Sequence, residues 1–114
     1  MIAGGRSRCV LVTCGSLAEA RRIARSVVNK RLAACANIFL TPVESVYRWK
    51  GKVEKARELF ILLKTTAKRL PALEREVKRL HSYDVPEFIV LPIVAGSSEY
   101  LSWLQKCVNT LRVR

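Results

Sequence analysis

The run Glu58-Leu59-Phe60-Ile61-Leu62-Leu63-Lys64-Thr65 constrains the fold more than any other stretch of the chain. Successive side chains of a strand point to opposite faces, so a strand with one wet side alternates apolar and polar residues. This one does not alternate: Leu59 through Leu63 is apolar at every position. Val10 to Val12 and Phe88 to Leu91 behave the same way. A sheet built from these strands is apolar on both sides and needs a cover on each.

The remaining elements follow from spacing. Cys9 to Cys14 is a short strand closed by Gly15. Ser16-Leu17-Ala18-Glu19 has the form of a capping box, and Leu17, Ala20, Ala24, Val27 and Val28 repeat at helical spacing as far as Lys30. Arg21, Arg22 and Arg25 lie off that stripe. A second strand starts over Cys35–Leu40 and is broken near Pro42. Val43 to Trp49, a Lys50-Gly51 turn and the strand from Val53 onward make a long antiparallel hairpin.

Leu70, Leu73, Val77 and Leu80 then mark one face of a second helix, with Pro71 in its first turn and His81 at its C-terminal end. Phe88 to Val94 is a last strand, interrupted by Pro92. A third helix opens at Gly96-Ser97-Ser98, with Leu101, Leu104, Val108 and Leu111 on one face and Trp103 beside them as a core residue. The order is α+β: a ferredoxin-like βαββαβ sandwich with a long hairpin and an extra C-terminal helix.

In that architecture two helices cover one face of the sheet. About five large side chains on the other face would meet water, at roughly 1.5–3 kcal/mol each. Their sum, on the order of 8–15 kcal/mol, rivals a domain's whole net stability of about 5–15 kcal/mol. The third helix can cover part of this face, and a partner subunit is the expected cover for the rest. The hairpin, with Tyr47 and Trp49 near its tip, is an arm able to reach a neighbour. Both aromatics read as interface packing, with ligand stacking as the sharper alternative.

Length and composition bound the function. The chain has 114 residues, half of them apolar, which fits one folded domain over residues 9–114. Met1 to Arg8 reads as a disordered N-terminal tail on a cytoplasmic protein. No run of 18 apolar residues suggests a membrane span. Twenty-one Lys and Arg face nine carboxylates, for a net charge of +12. That charge suits a nucleic acid or another anionic partner, or simply solvated basic helix faces. Cys9, Cys14, Cys35 and Cys107 form no C-x-x-C pair and read as reduced thiols. No phosphate-binding glycine loop and no nucleophile–His–acid arrangement is legible, so the chain reads as non-enzymatic. Cys14, close to a helix N-terminus, is a candidate for a lowered pKa and a redox or nucleophile role.

The segment His81-Ser82-Tyr83-Asp84-Val85-Pro86-Glu87 holds the only histidine and the only aspartate. His81 belongs either to a site formed by these ionisable side chains or to the surface, as a histidine at a helix C-terminus where the macrodipole favours its charge. Glu87 follows a proline that fixes the backbone before it. It is the carboxylate best placed for a functional role, or else a hydrogen-bond acceptor at a strand start. Lys64, at the end of the strongest strand, reads as a snorkelling side chain or as an anion-binding group in a cleft between subunits.

Five pieces together resemble the divalent-cation-tolerance (CutA) proteins. They are Leu32-Ala33-Ala34-Cys35-Ala36-Asn37-Ile38, Ser45-Val46-Tyr47-Arg48-Trp49-Lys50-Gly51-Lys52, Leu63-Lys64-Thr65, His81-x-Tyr83-x-x-Pro86-Glu87 and Tyr100-Leu101-Ser102-Trp103-Leu104. In order and spacing they span Val10 to Leu104. The resemblance implies a ferredoxin-like subunit in a tight, PII-like homotrimer and a role in tolerance to copper and other divalent cations. It implies His81 and Glu87 as metal ligands, together with a first-strand cysteine. By spacing to Cys35 that cysteine position holds Val12, and Cys14 lies two residues further along the same strand face. Tyr47, Trp49, Lys64 and Tyr83 fall to subunit interfaces or clefts. The alternatives are a PII-like sensor of a small anionic ligand in the intersubunit clefts and a basic nucleic-acid-binding module.

Overall fold

The structure is a computed structural model and describes residues 1–109. Leu111, expected on the third helix, lies outside the described residues. The order along the chain is β1 (Ile2–Ala3), β2 (Ser7–Cys14), α1 (Leu17–Asn29), β3 (Cys35–Ile38), β4 (Val43–Trp49) and β5 (Lys52–Thr66). After a single 3-10 turn come α2 (Leu70–Leu80), β6 (Ile89–Pro92), β7 (Ala95–Gly96) and α3 (Ser98–Val108).

The main sheet runs β3-β5-β2-β6, and every pair in it is antiparallel. This is the ferredoxin-like arrangement expected from the element order. The outer half of β5 continues past the sheet and pairs with β4, Val43 opposite Glu58 through Trp49 opposite Lys52. Lys50 and Gly51 close this arm with φ of 51° and 81°. Two consecutive left-handed residues match the right-handed twist of the strands they join.

The β2–β5 register sorts the side chains into two faces. Val10 opposite Leu63, Val12 opposite Ile61 and Cys14 opposite Leu59 point at the helices. Most of these side chains have no solvent exposure, and they pack against Ala20, Ile23 and Val27 of α1 and Leu73 and Val77 of α2. The opposite face carries Leu11, Phe60 and Leu62, half-buried, with Ile89 and Leu91 of β6 46 % and 43 % exposed. These are the five large apolar side chains expected to lack a cover within one chain.

α3 packs Leu101, Leu104 and Val108 against Ala34 and Ile93 in a separate small cluster. Arg31 and Arg69 hold its last carbonyls, Arg31 donating to the Cys107 oxygen at 3.2 Å and Arg69 to the Val108 oxygen at 2.7 Å. Both neutralise the negative end of the helix dipole. Trp103, expected in the core, is 44 % exposed and stacks on Tyr100 instead.

The expected disordered tail over residues 1–8 is corrected by the structure. Ile2 pairs with Gly96 and Ala3 with Ala95, Gly4 N–H donates to the Val94 oxygen at 2.8 Å, and Ser7 is fully buried. Gly4 makes this docking possible. A Cβ there would meet the Ile93 carbonyl oxygen at 1.5 Å, so only glycine lets the two backbones approach. The last strand is likewise shorter than the expected Phe88 to Val94, because the chain leaves the sheet after Pro92 and re-pairs with the N-terminus as β7.

Candidate metal centre

β2 ends at Cys14, and the chain turns through Gly15 into α1. Ser16 caps that helix, its hydroxyl accepting from the Glu19 N–H at 3.2 Å. Cys14 therefore sits at the mouth of α1, and Glu19 lies in its first turn. α2 ends at His81, whose backbone N–H closes the helix on the Val77 oxygen. α1 and α2 lie side by side on the sheet and run in opposite directions, so the C-terminus of α2 meets the N-terminus of α1. That packing brings Cys14, Glu19 and His81 together.

All three are buried, and one donor atom from each lies within 4.8 Å of the others. Cys14 Sγ is 3.8 Å from His81 Nε2. Nε2 is also 2.7 Å from the Thr13 carbonyl oxygen, which can only accept, so Nε2 carries the hydrogen. Nδ1 accepts from the Tyr83 N–H at 3.1 Å and lies 3.3 Å from a Glu19 carboxylate oxygen. The same oxygen accepts from the Ser82 N–H at 3.3 Å. The ring is thus pinned on both nitrogens, and its tautomer is fixed by the backbone on either side.

Burial pushes the Cys14 thiol up to about 12, with the Glu19 and Glu58 carboxylates adding to the effect. This overturns the expected low pKa. The helix N-terminus favours a thiolate, but a dry site and two acids outweigh it. The cluster is a protonated thiol, an imidazole and a carboxyl group, all three buried.

Thiol, imidazole and carboxylate are the donor set that holds copper or zinc. Metal–donor bonds of about 2.0–2.3 Å require donors a few ångströms apart, and these are. The two ring nitrogens point away from one another, so a single ion can use only one. An ion on Nε2 sits beside Cys14 and takes the place of the bond to Thr13. Cys14 and His81 fit such an ion in kind and in spacing, and Glu19 stands within 4.8 Å of them on the Nδ1 side of the ring. The ion would replace the proton on Cys14 and leave the ring hydrogen on Nδ1, which faces the Glu19 carboxylate at 3.3 Å.

The other residues singled out from the sequence are distributed more widely. Val12 is fully buried in the core on the same face as Cys14, so Cys14 is the cysteine that reaches His81. His81 is 8 % exposed, which removes the reading of a surface histidine. Glu87 does not join the cluster. It lines a neighbouring pocket with Tyr47, Trp49 and Tyr83. The Tyr83 hydroxyl donates to a Glu58 carboxylate oxygen at 2.8 Å, and burial, then Glu58, raises its pKa. Lys64 lies on the open side of the sheet, donating to the Tyr100 hydroxyl at 3.3 Å with its ammonium 5.4 Å from that ring's centre.

Glu19 is the residue that sequence reading passed over. As the fourth position of a capping box it has a local explanation. A signal was present all the same: Glu19, Ile23 and Val27 recur at intervals of four, so an acid stands on the buried stripe. Burial of a carboxylate calls for partners, and these lie more than sixty residues away at Ser82 and His81.

Comparison with known proteins follows the same lines. The model of a family described as CutA1 divalent ion tolerance protein matches residues 8–107. The divalent-cation tolerance protein CutA of Thermus thermophilus is 48 % identical over 97 residues, covering 85 % of this chain and 93 % of that one. Protein CutA of Mus musculus is 39 % identical over 107 residues, covering 94 % of this chain and 60 % of that protein. The solved structure of the Thermus thermophilus protein superposes with a TM-score of 0.88 at 46 % identity, over 90 % of this chain and 99 % of that one.

Proposed function

We propose a function for this chain on the ground that it belongs to the CutA1 divalent ion tolerance family. The Cys14–Glu19–His81 cluster takes up a divalent cation, copper foremost, in a homotrimer whose subunits close over one another's open sheet faces. The protein acts in the cytoplasm by holding the ion rather than by catalysis.

One observation carries the reading: three buried side chains of metal-ligating type converge within 4.8 Å, with His81 Nε2 turned toward Cys14 and Nδ1 held by the Tyr83 N–H beside Glu19. Oriented imidazoles and hydrogen-bonded carboxylates are the usual surroundings of a bound metal. Copper(II) leads the divalent series in affinity for such donors, and zinc follows. Two features favour storage over turnover. Cys14 is protonated at neutral pH, so it is a poor nucleophile. It also has no solvent exposure, which leaves a reactant no approach.

Anaerobic equilibrium dialysis against copper and zinc tests the proposal, with Cys14→Ser and Glu19→Gln beside the parent. The expected result is one ion per chain, bound at least tenfold more weakly by each variant. Absence of saturable binding, or equal binding by all three proteins, removes it. Light scattering at micromolar concentration tests the assembly, which fails if the mass is that of one 12.9 kDa chain.

A further inference from the structure

The pocket beside the metal cluster has a chemistry of its own. It encloses about 790 Å³ between the β4–β5 arm, the end of β2 and the segment after α2. That volume suits a small organic ligand. The chain carries 21 Lys and Arg against nine carboxylates, yet Glu58, Asp84 and Glu87 line this one pocket and no lysine or arginine does. None of the three is in an ion pair among the described residues. Glu58 is 7 % exposed and its hydrogen bond comes from the Tyr83 hydroxyl, a neutral donor. Burial and the neighbouring Glu58 push the Glu87 carboxyl above its ordinary value, as expected where negative charge lacks a counter-ion.

Two further observations point to what is missing. Thr13 is 3 % exposed and lines the pocket, and its hydroxyl makes no hydrogen bond among the described residues. In addition, Tyr47, Trp49 and Tyr83 present aromatic rings to the same space. Ring faces attract a cation, most strongly one that has shed its water. A bare metal ion is the weaker match. Among the described residues only Cys14, Glu19 and His81 converge closely enough to share one. Separated carboxylates and aromatic walls suit a cation whose charge rides on a carbon frame.

We infer that this pocket binds a small organic ammonium ion, its charge held by Glu58 and Glu87, its carbon frame against Tyr47 and Trp49, and an N–H or hydroxyl on Thr13. The inference goes beyond the metal reading and uses none of its three ligands, so either can fail alone. It also places a cation-selective cavity in a protein whose net charge repels cations at long range. Recognition must therefore come from the desolvated contacts inside the pocket.

Titration calorimetry of the parent protein in about 150 mM salt, near physiological ionic strength, with 1,4-diaminobutane as the probe, tests this. The neutral 1,4-butanediol, of nearly the same shape, is the control. Saturable binding of the diamine and none of the diol is the expected result. Glu58→Gln and Glu87→Gln should each weaken binding at least tenfold, and Thr13→Val several-fold. Glutamine at 58 keeps an acceptor for Tyr83, and position 87 is only half-buried, so both variants should retain the parent's melting temperature within a few degrees. Equal binding of diol and diamine overturns the inference, as does full affinity in both glutamine variants. Absence of saturable diamine binding overturns it too. Within that result, a drop in oligomer mass for Glu58→Gln would identify the counter-ion as a basic side chain of a second copy.

Discussion

Leu62 and Leu63 are neighbours on β5 and point to opposite faces of the sheet. Leu63 has no solvent exposure and packs under α1 and α2. Leu62 looks the other way, beside Leu11, and is only half-buried within one chain. Truncation of a fully buried leucine to alanine costs about 2–5 kcal/mol, the transfer term plus the cavity. Leu63→Ala should lose that much whatever the state of assembly. Leu62→Ala in a lone chain removes methyl groups already in partial contact with water and should cost about 1 kcal/mol. If a second copy covers that face, the same substitution opens an interface cavity and the cost rises to about 2–5 kcal/mol per chain. Urea denaturation of parent and both variants at 1 and 100 µM separates the cases. For a trimer that unfolds as it dissociates, a hundredfold dilution lowers the apparent stability by about 1.8 kcal/mol per chain, two-thirds of RT ln 100. The expected outcome is two comparably damaged variants and a concentration-dependent midpoint. A mild Leu62→Ala with a midpoint indifferent to concentration would refute the covered face, because nothing else in the fold could then bury it.

Two other outcomes follow from charges and thiols away from the sheet face. Glu76 bridges α1 and α2, accepting from Arg79, Ser26 and Lys30, and these hold its carboxyl well below its ordinary 4.5. A depressed carboxylate stabilises the fold above its unfolded pKa and loses that contribution as pH falls. Acid unfolding below pH 4.5 should therefore be steeper in the parent than in Glu76→Gln, and identical curves would contradict the clamp. Cys14, fully buried with its thiol at about 12, should be the last cysteine alkylated by iodoacetamide at pH 8, after the partly exposed Cys35 and Cys107. Peptide mass spectrometry reads the order, and labelling of Cys14 as fast as Cys107 would mean that the site opens.

Local signals carried most of the fold. The Ser16 cap, the Lys50-Gly51 turn and the apolar spacing of α2 are each written within a few residues, and each element formed where its signal stands. Boundaries set by distant contacts were harder to read. Residues 1–8 look polar and glycine-rich, and their order depends on Gly4 resting on Ile93, nearly ninety residues away. The site divides in the same way. Cys14 and His81 announce themselves by residue type. Glu19 does not, because a capping box explains it locally and its true partners are supplied by the antiparallel packing of α1 and α2. The resemblance carries Glu87 into a ligand set, and the fold places it instead on the wall of a pocket lined by acids and aromatic rings. Only the closed register of β2 against β5 shows that Thr13 faces that pocket while Cys14 turns the other way.

The metal reading stands on one claim: a thiol, an imidazole and a carboxylate at the junction of β2, α1 and α2 share a single ion. X-ray absorption at the zinc edge of the zinc-loaded protein measures that shell directly. The account predicts one sulfur scatterer at about 2.3 Å and nitrogen or oxygen donors near 2.0–2.1 Å, with the sulfur lost in Cys14→Ser. A shell of oxygens without sulfur would place the ion elsewhere and contradict it.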